Sequence, residues 1–232
     1  MSEPRSVSGN FDGRFYAGMS GLALLVVLVG FARTYYLKGL FGAPSLPLLL
    51  HVHGAVMTLW FVLFVTQAAL IRARRIDLHR VLGVAGAAFA LVLVPIGFAT
   101  ARQFVLRSLD DPDLLPVAAA IAGYDAVVLA VFASLVGAAL LWRGRTDIHK
   151  RLMTLAALSL LGPPLARLVG DEAAVLASNL IVLVPVVLDT LWNRRLHPAF
   201  GWGGALVVLS TRAALLLVTN PAWSGFVVHL LR

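Results

Sequence analysis

The chain has 232 residues, of which 60% are hydrophobic and 13% charged, and its mean hydropathy is +0.90; these values exclude a soluble domain with a polar surface to cover and indicate a polytopic membrane protein. Cysteine is absent, so disulfides, thiolate metal sites and cysteine nucleophiles are excluded, and a metal would need His, Asp, Glu or Met. The net charge of +8 comes from short basic clusters between apolar runs, a pattern of membrane topology that gives no reason to expect a nucleic-acid partner.

In chain order, a polar tail over 1–14 lacks the apolar core and small-residue cleavage site of a signal peptide. Seven mostly apolar runs follow, over 15–33, 48–71, 79–101, 116–142, 148–168, 173–192 and 201–219, each about 20 residues and therefore long enough to cross the hydrocarbon core as a helix. Residues 220–232 read as an interfacial amphipathic tail. The expected fold is all-α, a polytopic membrane helix bundle with a seven-helix domain over 15–219. Arg72, Arg74, Arg75 and Arg80 surround the second connection, Arg143, Arg145, Lys150 and Arg151 the fourth, and Arg194 with Arg195 the sixth. These three connections are expected to be cytoplasmic, which puts the N-terminus inside and the C-terminus outside.

The second run opens with His51 and His53. Residues i and i+2 on a helix point about 200° apart, so the two histidines cannot ligate one ion together. His53 recurs with Trp60 and Gln67 at heptad spacing, and this stripe is expected to face the bundle.

"RIDLHR" (75–80) and "RTDIHK" (145–150) share the pattern Arg-x-Asp-aliphatic-His-basic and open two successive outward-running helices. A parallel repeat of helical hairpins over 48–101 and 116–168 is therefore expected. Asp77 and Asp147 suit the helix N-cap, with His79 and His149 in the first turn. One reading is a capped turn with interfacial side chains; the other is that the two imidazoles face each other as axial ligands of a haem.

The segment from His53-Gly54 through Trp60, Gln67 and Arg72 to His79, Leu82-Gly83 and Pro95-Ile96-Gly97 resembles the paired-helix pattern of the transmembrane b-type cytochromes. Over about 50 residues the resemblance implies b-type haem as cofactor and a redox partner. That family carries a ligand histidine on each of four successive helices; here helix four has none. The whole chain is also similar to a set of bacterial seven-helix membrane proteins with stretches like "FARTYYL", "HKRLM" and "LHPAFGWGG", which implies a multi-pass protein of the bacterial cytoplasmic (inner) membrane and no particular activity.

An ionisable group near the bilayer centre costs at least ~2.5–3.5 kcal/mol unless paired, so Asp125, Asp189 and Arg212 stand out. Asp125 is expected roughly 12–14 Å below the outer end of its helix and Arg212 roughly 16 Å above the inner end of its own, depths that coincide in a core ~30 Å thick. An Asp125–Arg212 ion pair is the expectation. With His53, Tyr124, Arg167, which follows "GPP", and Asn179 they would line an outward-opening pocket for a small anionic or polar ligand. Asp189 is expected to orient an imidazole or to pair with Arg80 or Arg151, and His197 reads as a loop residue.

No Walker loop, dinucleotide fingerprint, H-E-x-x-H or G-x-S-x-G is present, so no catalytic motif is identified. Three classes remain open: a receptor, sensor or transporter using the outer pocket; a haem electron-transfer protein using His79 and His149; and an accessory protein whose polar residues serve assembly.

Overall fold

Hydrocarbon offers the backbone no hydrogen-bond partners, so an apolar run must satisfy its amides internally as a helix. The computed structural model describes residues 5–231, with side chains from 13 to 230, and the runs form helices. These are α1 (Arg5–Gly30), a π-helical turn (Ala32–Tyr36), α2 (Leu48–Arg72), α3 (Ile76–Arg107), α4 (Leu114–Leu141), α5 (Thr146–Ser159), α6 (Gly162–Val169), α7 (Asp171–Asn193), α8 (Pro198–Val218) and α9 (Trp223–Leu231). Residues 1–4 of the expected tail lie outside the described residues, and α1 takes in the tail from Arg5 onward.

Among the described residues six helices are long and apolar enough to cross a membrane, or seven if α5 and α6, bent by 47° at their junction, are counted as one span. The break falls at Leu160–Leu161, just before Gly162-Pro163-Pro164, whose two prolines lack the N–H groups that the carbonyls of Ser159 and Leu160 would need to continue the helix. Helix α3, at 32 residues, is about 48 Å long and exceeds the hydrocarbon thickness. Large apolar side chains point outward along the spans, Leu91 at 78%, Leu141 at 83% and Leu216 at 79% exposure among them. In lipid that exposure has no hydrophobic cost.

Helix α4 packs against α3, α5, α8 and α9, while α2 bridges α1 and α3. From Leu152 to Leu161 nearly every residue of the α5 region is buried, so this helix is walled in on all sides. The core joins Phe61, Phe132, Phe200, Leu155 and Leu158, with Trp60 meeting Phe132 edge to face at 5.0 Å. Trp60 therefore faces inward, as the heptad stripe requires.

The expected interfacial tail packs on the bundle. Trp223 Nε1 donates to the Ala119 carbonyl at 2.8 Å, and Val227 is buried with Val105, Ala118 and Ala119. Gly123 leaves room for the Trp223 ring, since a Cβ there would come within 2.4 Å of it. Trp223→Phe removes one hydrogen bond and is expected to cost about 1 kcal/mol of docking. Hydrogen exchange over 223–231 reads this as faster opening of α9 with the rest unchanged.

Candidate functional site

The two halves of the repeat have the same local geometry at one end of the bundle. The His79 and His149 N–H groups bond at 3.0 Å to the carbonyls of Arg75 and Arg145, the residues that cap α3 and α5. Asp77 and Asp147 are accordingly not the N-caps expected from the sequence. They lie inside the first turn, where a carboxylate still favours the positive helix end, and they pair with Arg75 at 3.6 Å and Arg145 at 3.8 Å.

The first turns bring His79 and His149 together, their ring centroids 6.5 Å apart and their planes at 85°. The Nδ1 of each ring is held. His149 Nδ1 lies 2.8 Å from the Ala139 carbonyl of α4, so it must carry the proton. His79 Nδ1 lies 2.6 Å from the side-chain amide of Gln67 on α2, whose oxygen accepts from the Gly83 N–H at 2.9 Å. In this orientation the amide nitrogen donates to Nδ1 and to the His79 carbonyl at 3.2 Å, so Nδ1 accepts and the proton of the neutral ring sits on Nε2. Among the described residues neither Nε2 atom has a hydrogen-bond partner. Helices α3 and α5 have no extended interface of their own among the described residues; the imidazoles meet edge to face, contacted by Gln67 of α2 and the Ala139 carbonyl of α4.

Beside them lies a buried two-point ion pair. Arg151 Nη2 meets Asp189 Oδ1 at 2.7 Å, Nε meets Oδ2 at 3.1 Å, and Nη1 donates to the Asp147 carbonyl at 2.8 Å. Of the partners considered for Asp189, Arg151 is the one engaged. His197 is more than a loop residue: Nδ1 accepts the Ala199 N–H at 3.2 Å as the N-cap of α8, and Nε2 meets Asp147 Oδ2 at 3.2 Å. It thereby ties α8 to α5.

At the opposite end the expected pocket residues are only partly assembled. Asp125 and Arg167 lie within electrostatic reach of each other, and so do His53 and Arg167. Tyr124 on α4 and Ser178 on α7 converge on Gly162, and Asn179 Oδ1 accepts from Thr211 at 3.1 Å. The expected Asp125–Arg212 ion pair is absent; no ion pair within 4.0 Å joins these described residues, and Arg212 is exposed. Matched depth does not fix direction around a helix. Thr211 holds the buried face of α8, so Arg212, about 100° further round, is turned away. Two side-chain nitrogens here, His53 Nδ1 and Asn179 Nδ2, are buried without a hydrogen-bond partner.

Gln67 was visible in the sequence as a stripe residue and in the cytochrome-like pattern but not as a partner of His79, and the Ala139 carbonyl, being backbone, has no sequence signal. Comparison of the chain with protein-family profiles, curated proteins and solved structures gives no match.

Proposed function

We propose that this membrane helix bundle holds one b-type haem between α3 and α5, with His79 and His149 as axial ligands, and serves in electron transfer. The supporting observation is the 6.5 Å separation of the two rings. Two imidazoles hydrogen-bonded to each other would place their centroids roughly 5.2 Å apart. Two imidazoles on one metal, with bonds of ~2.0–2.1 Å, would place them roughly 6.4 Å apart.

The donor count narrows the metal. Structural zinc takes four protein ligands, and among the described residues no group of three or more His, Asp or Glu collects. A macrocycle that brings its own four in-plane nitrogens needs only two more. When bound, haem would supply a one-electron couple whose potential depends on its axial ligands and surroundings. The chain's own part is to hold the imidazoles: the Ala139 carbonyl fixes the His149 tautomer, Gln67 holds His79 and would turn its amide to accept the Nδ1 proton when Nε2 binds iron, and Arg80, which follows His79, would supply positive charge for the macrocycle's carboxylates.

The test is an oxidised and dithionite-reduced spectrum of protein made with haem supply and purified in mild detergent. A low-spin Soret and α-band change is expected, and His79→Ala and His149→Ala should each abolish it. A colourless parent, or low-spin haem retained in either variant, would overturn the assignment. Gln67→Leu should keep the haem but loosen His79, weakening retention by about 10–100-fold, the usual cost of losing a partner behind a metal ligand.

A second reading is favoured by the unpartnered nitrogens of His53 and Asn179: a small anionic or polar ligand held at the opposite end, with Tyr124, Asp125, Arg167 and Arg212 at the same level. Buried polar atoms without partners are costly in an empty protein. His53→Leu should therefore keep or raise thermal stability while removing the cellular role, and lost stability with the role intact would count against this reading. For orientation we adopt the positive-inside rule, with the His79 and His149 end cytoplasmic. Reporters fused after Arg74 or Arg145 should read inside and one near Asp111 outside, and the reverse pattern would invert the assignment.

A further inference from the structure

At the end of the bundle away from His79 and His149, α1 gives way to the π-helical turn, in which the Leu37 N–H bonds to the Ala32 carbonyl at 2.8 Å. π-Helical turns recur at functional sites because the extra residue re-aims the side chains around it. This one is pinned to α2 by Tyr35 Oη donating to the His51 carbonyl at 3.0 Å and by the 2.7 Å contact of Tyr36 Oη with Thr58 Oγ1. A cavity of about 620 Å³ opens beside it, lined by Val29, Arg33, Thr34, Phe41, Arg167 and Leu168 among others.

The charge in this cavity is one-sided. Arg33 lies over the Phe41 ring at 5.1 Å and Arg167 over Phe31 at 4.4 Å, while Arg167 Nη1 donates to the Pro163 carbonyl at 2.9 Å. Among the described residues neither guanidinium has a carboxylate within 4.0 Å, although Asp125 and Asp171 act on Arg167 from further away. Ring stacking holds the flat face of a guanidinium and leaves its N–H edge for an anion. Two cations on one partly desolvated cavity repel each other, and a single oxyanion between them would reverse the sign of that energy. A bare phosphate would fill only part of the space, and the remaining wall of Val29, Phe41 and Leu168 is apolar.

We infer that Arg33, Arg167 and Thr34 form a binding site for the phosphate group of an anionic phospholipid. The diester oxyanion sits on the guanidinium edges, with the glycerol and upper acyl carbons against Val29, Phe41 and Leu168. This site is independent of the haem assignment, since no residue is shared.

The test is native mass spectrometry of the full chain released from nanodiscs of equal phosphatidylglycerol and phosphatidylcholine. The parent should retain one phosphatidylglycerol in preference to phosphatidylcholine. Arg33→Gln with Arg167→Gln should lower that retention by about tenfold or more, the effect of losing charge-assisted hydrogen bonds, and Arg143→Gln at the opposite end should leave it unchanged. No preference in the parent, or unchanged retention in a Gln double variant that melts like the parent, would overturn the site. If the double variant does not fold, Arg33→Gln alone decides by the same criterion. A parallel arm adds millimolar inorganic phosphate: continued retention supports the lipid as the source, and full displacement would overturn the lipid assignment in favour of the free ion.

Discussion

Arg151→Leu and Asp189→Leu are each expected to destabilise the protein by about 3–5 kcal/mol, whereas the double variant should lie near the parent. Arg151 is 5% and Asp189 2% exposed, and they meet through a two-point contact. The guanidinium also rests 5.6 Å from the centre of the Phe200 ring. Removing either partner leaves a full charge in a dry core; removing both replaces the desolvated pair with apolar volume. Thermal unfolding in one detergent gives the cycle. Additive losses would mean that the two residues are not coupled. Because Arg151 also donates to the Asp147 carbonyl, two residues before His149, Asp189→Leu should disturb the imidazole pair as well as global stability.

Gly30→Val should be the most damaging small-residue change. A Cβ at Gly30 would lie 2.5 Å from the Pro164 carbonyl oxygen and 2.7 Å from its Cβ, so α1 and α6 must separate at their closest approach. The obstacle is largely backbone in a segment bent by prolines, so rotamer changes cannot relieve it, and a loss of at least ~1–3 kcal/mol is expected. Gly137→Ala is the control: a Cβ there meets nothing within 4 Å, and helix propensity alone should add about 0.5–1 kcal/mol of stability. Equal melting temperatures for Gly30→Val and the parent would show that the α1–α6 contact is not tight.

What the sequence could convey follows from how each signal arises. Apolar runs longer than the hydrocarbon thickness must become helices, so the bundle was legible, but the fifth run, read as one span over 148–168, is broken at Leu160–Leu161. The repeated motif also placed His79 and His149 in equivalent first turns with the same local geometry, whereas their ring proximity depends on how the helices pack. Depth along a helix could be counted, but direction around it could not, and for that reason the counted depths of Asp125 and Arg212 agree while no ion pair joins them. Arg151 and Asp189 were legible as candidates because few partners exist at that level. Capping by Arg75 and Arg145 was hidden, since Asp at the second helical position reads the same as Asp at the cap. The docking of α9 depends on Gly123 making room for Trp223, a contact about a hundred residues long in sequence. The cavity at Arg33 needs a π-helical turn that periodicity does not announce.

The assignment of His79 and His149 is tested most directly by near-infrared magnetic circular dichroism of the oxidised, purified protein at low temperature, because the charge-transfer band of low-spin ferric haem reports the chemical identity of both axial ligands. The geometry of the two rings predicts the bis-imidazole band in the parent and its loss in His79→Ala and in His149→Ala, with His51→Ala and His53→Ala unchanged. A band of another ligand pair, a bis-imidazole band surviving in either of the first two variants, or no haem band from protein made with haem supply would contradict it.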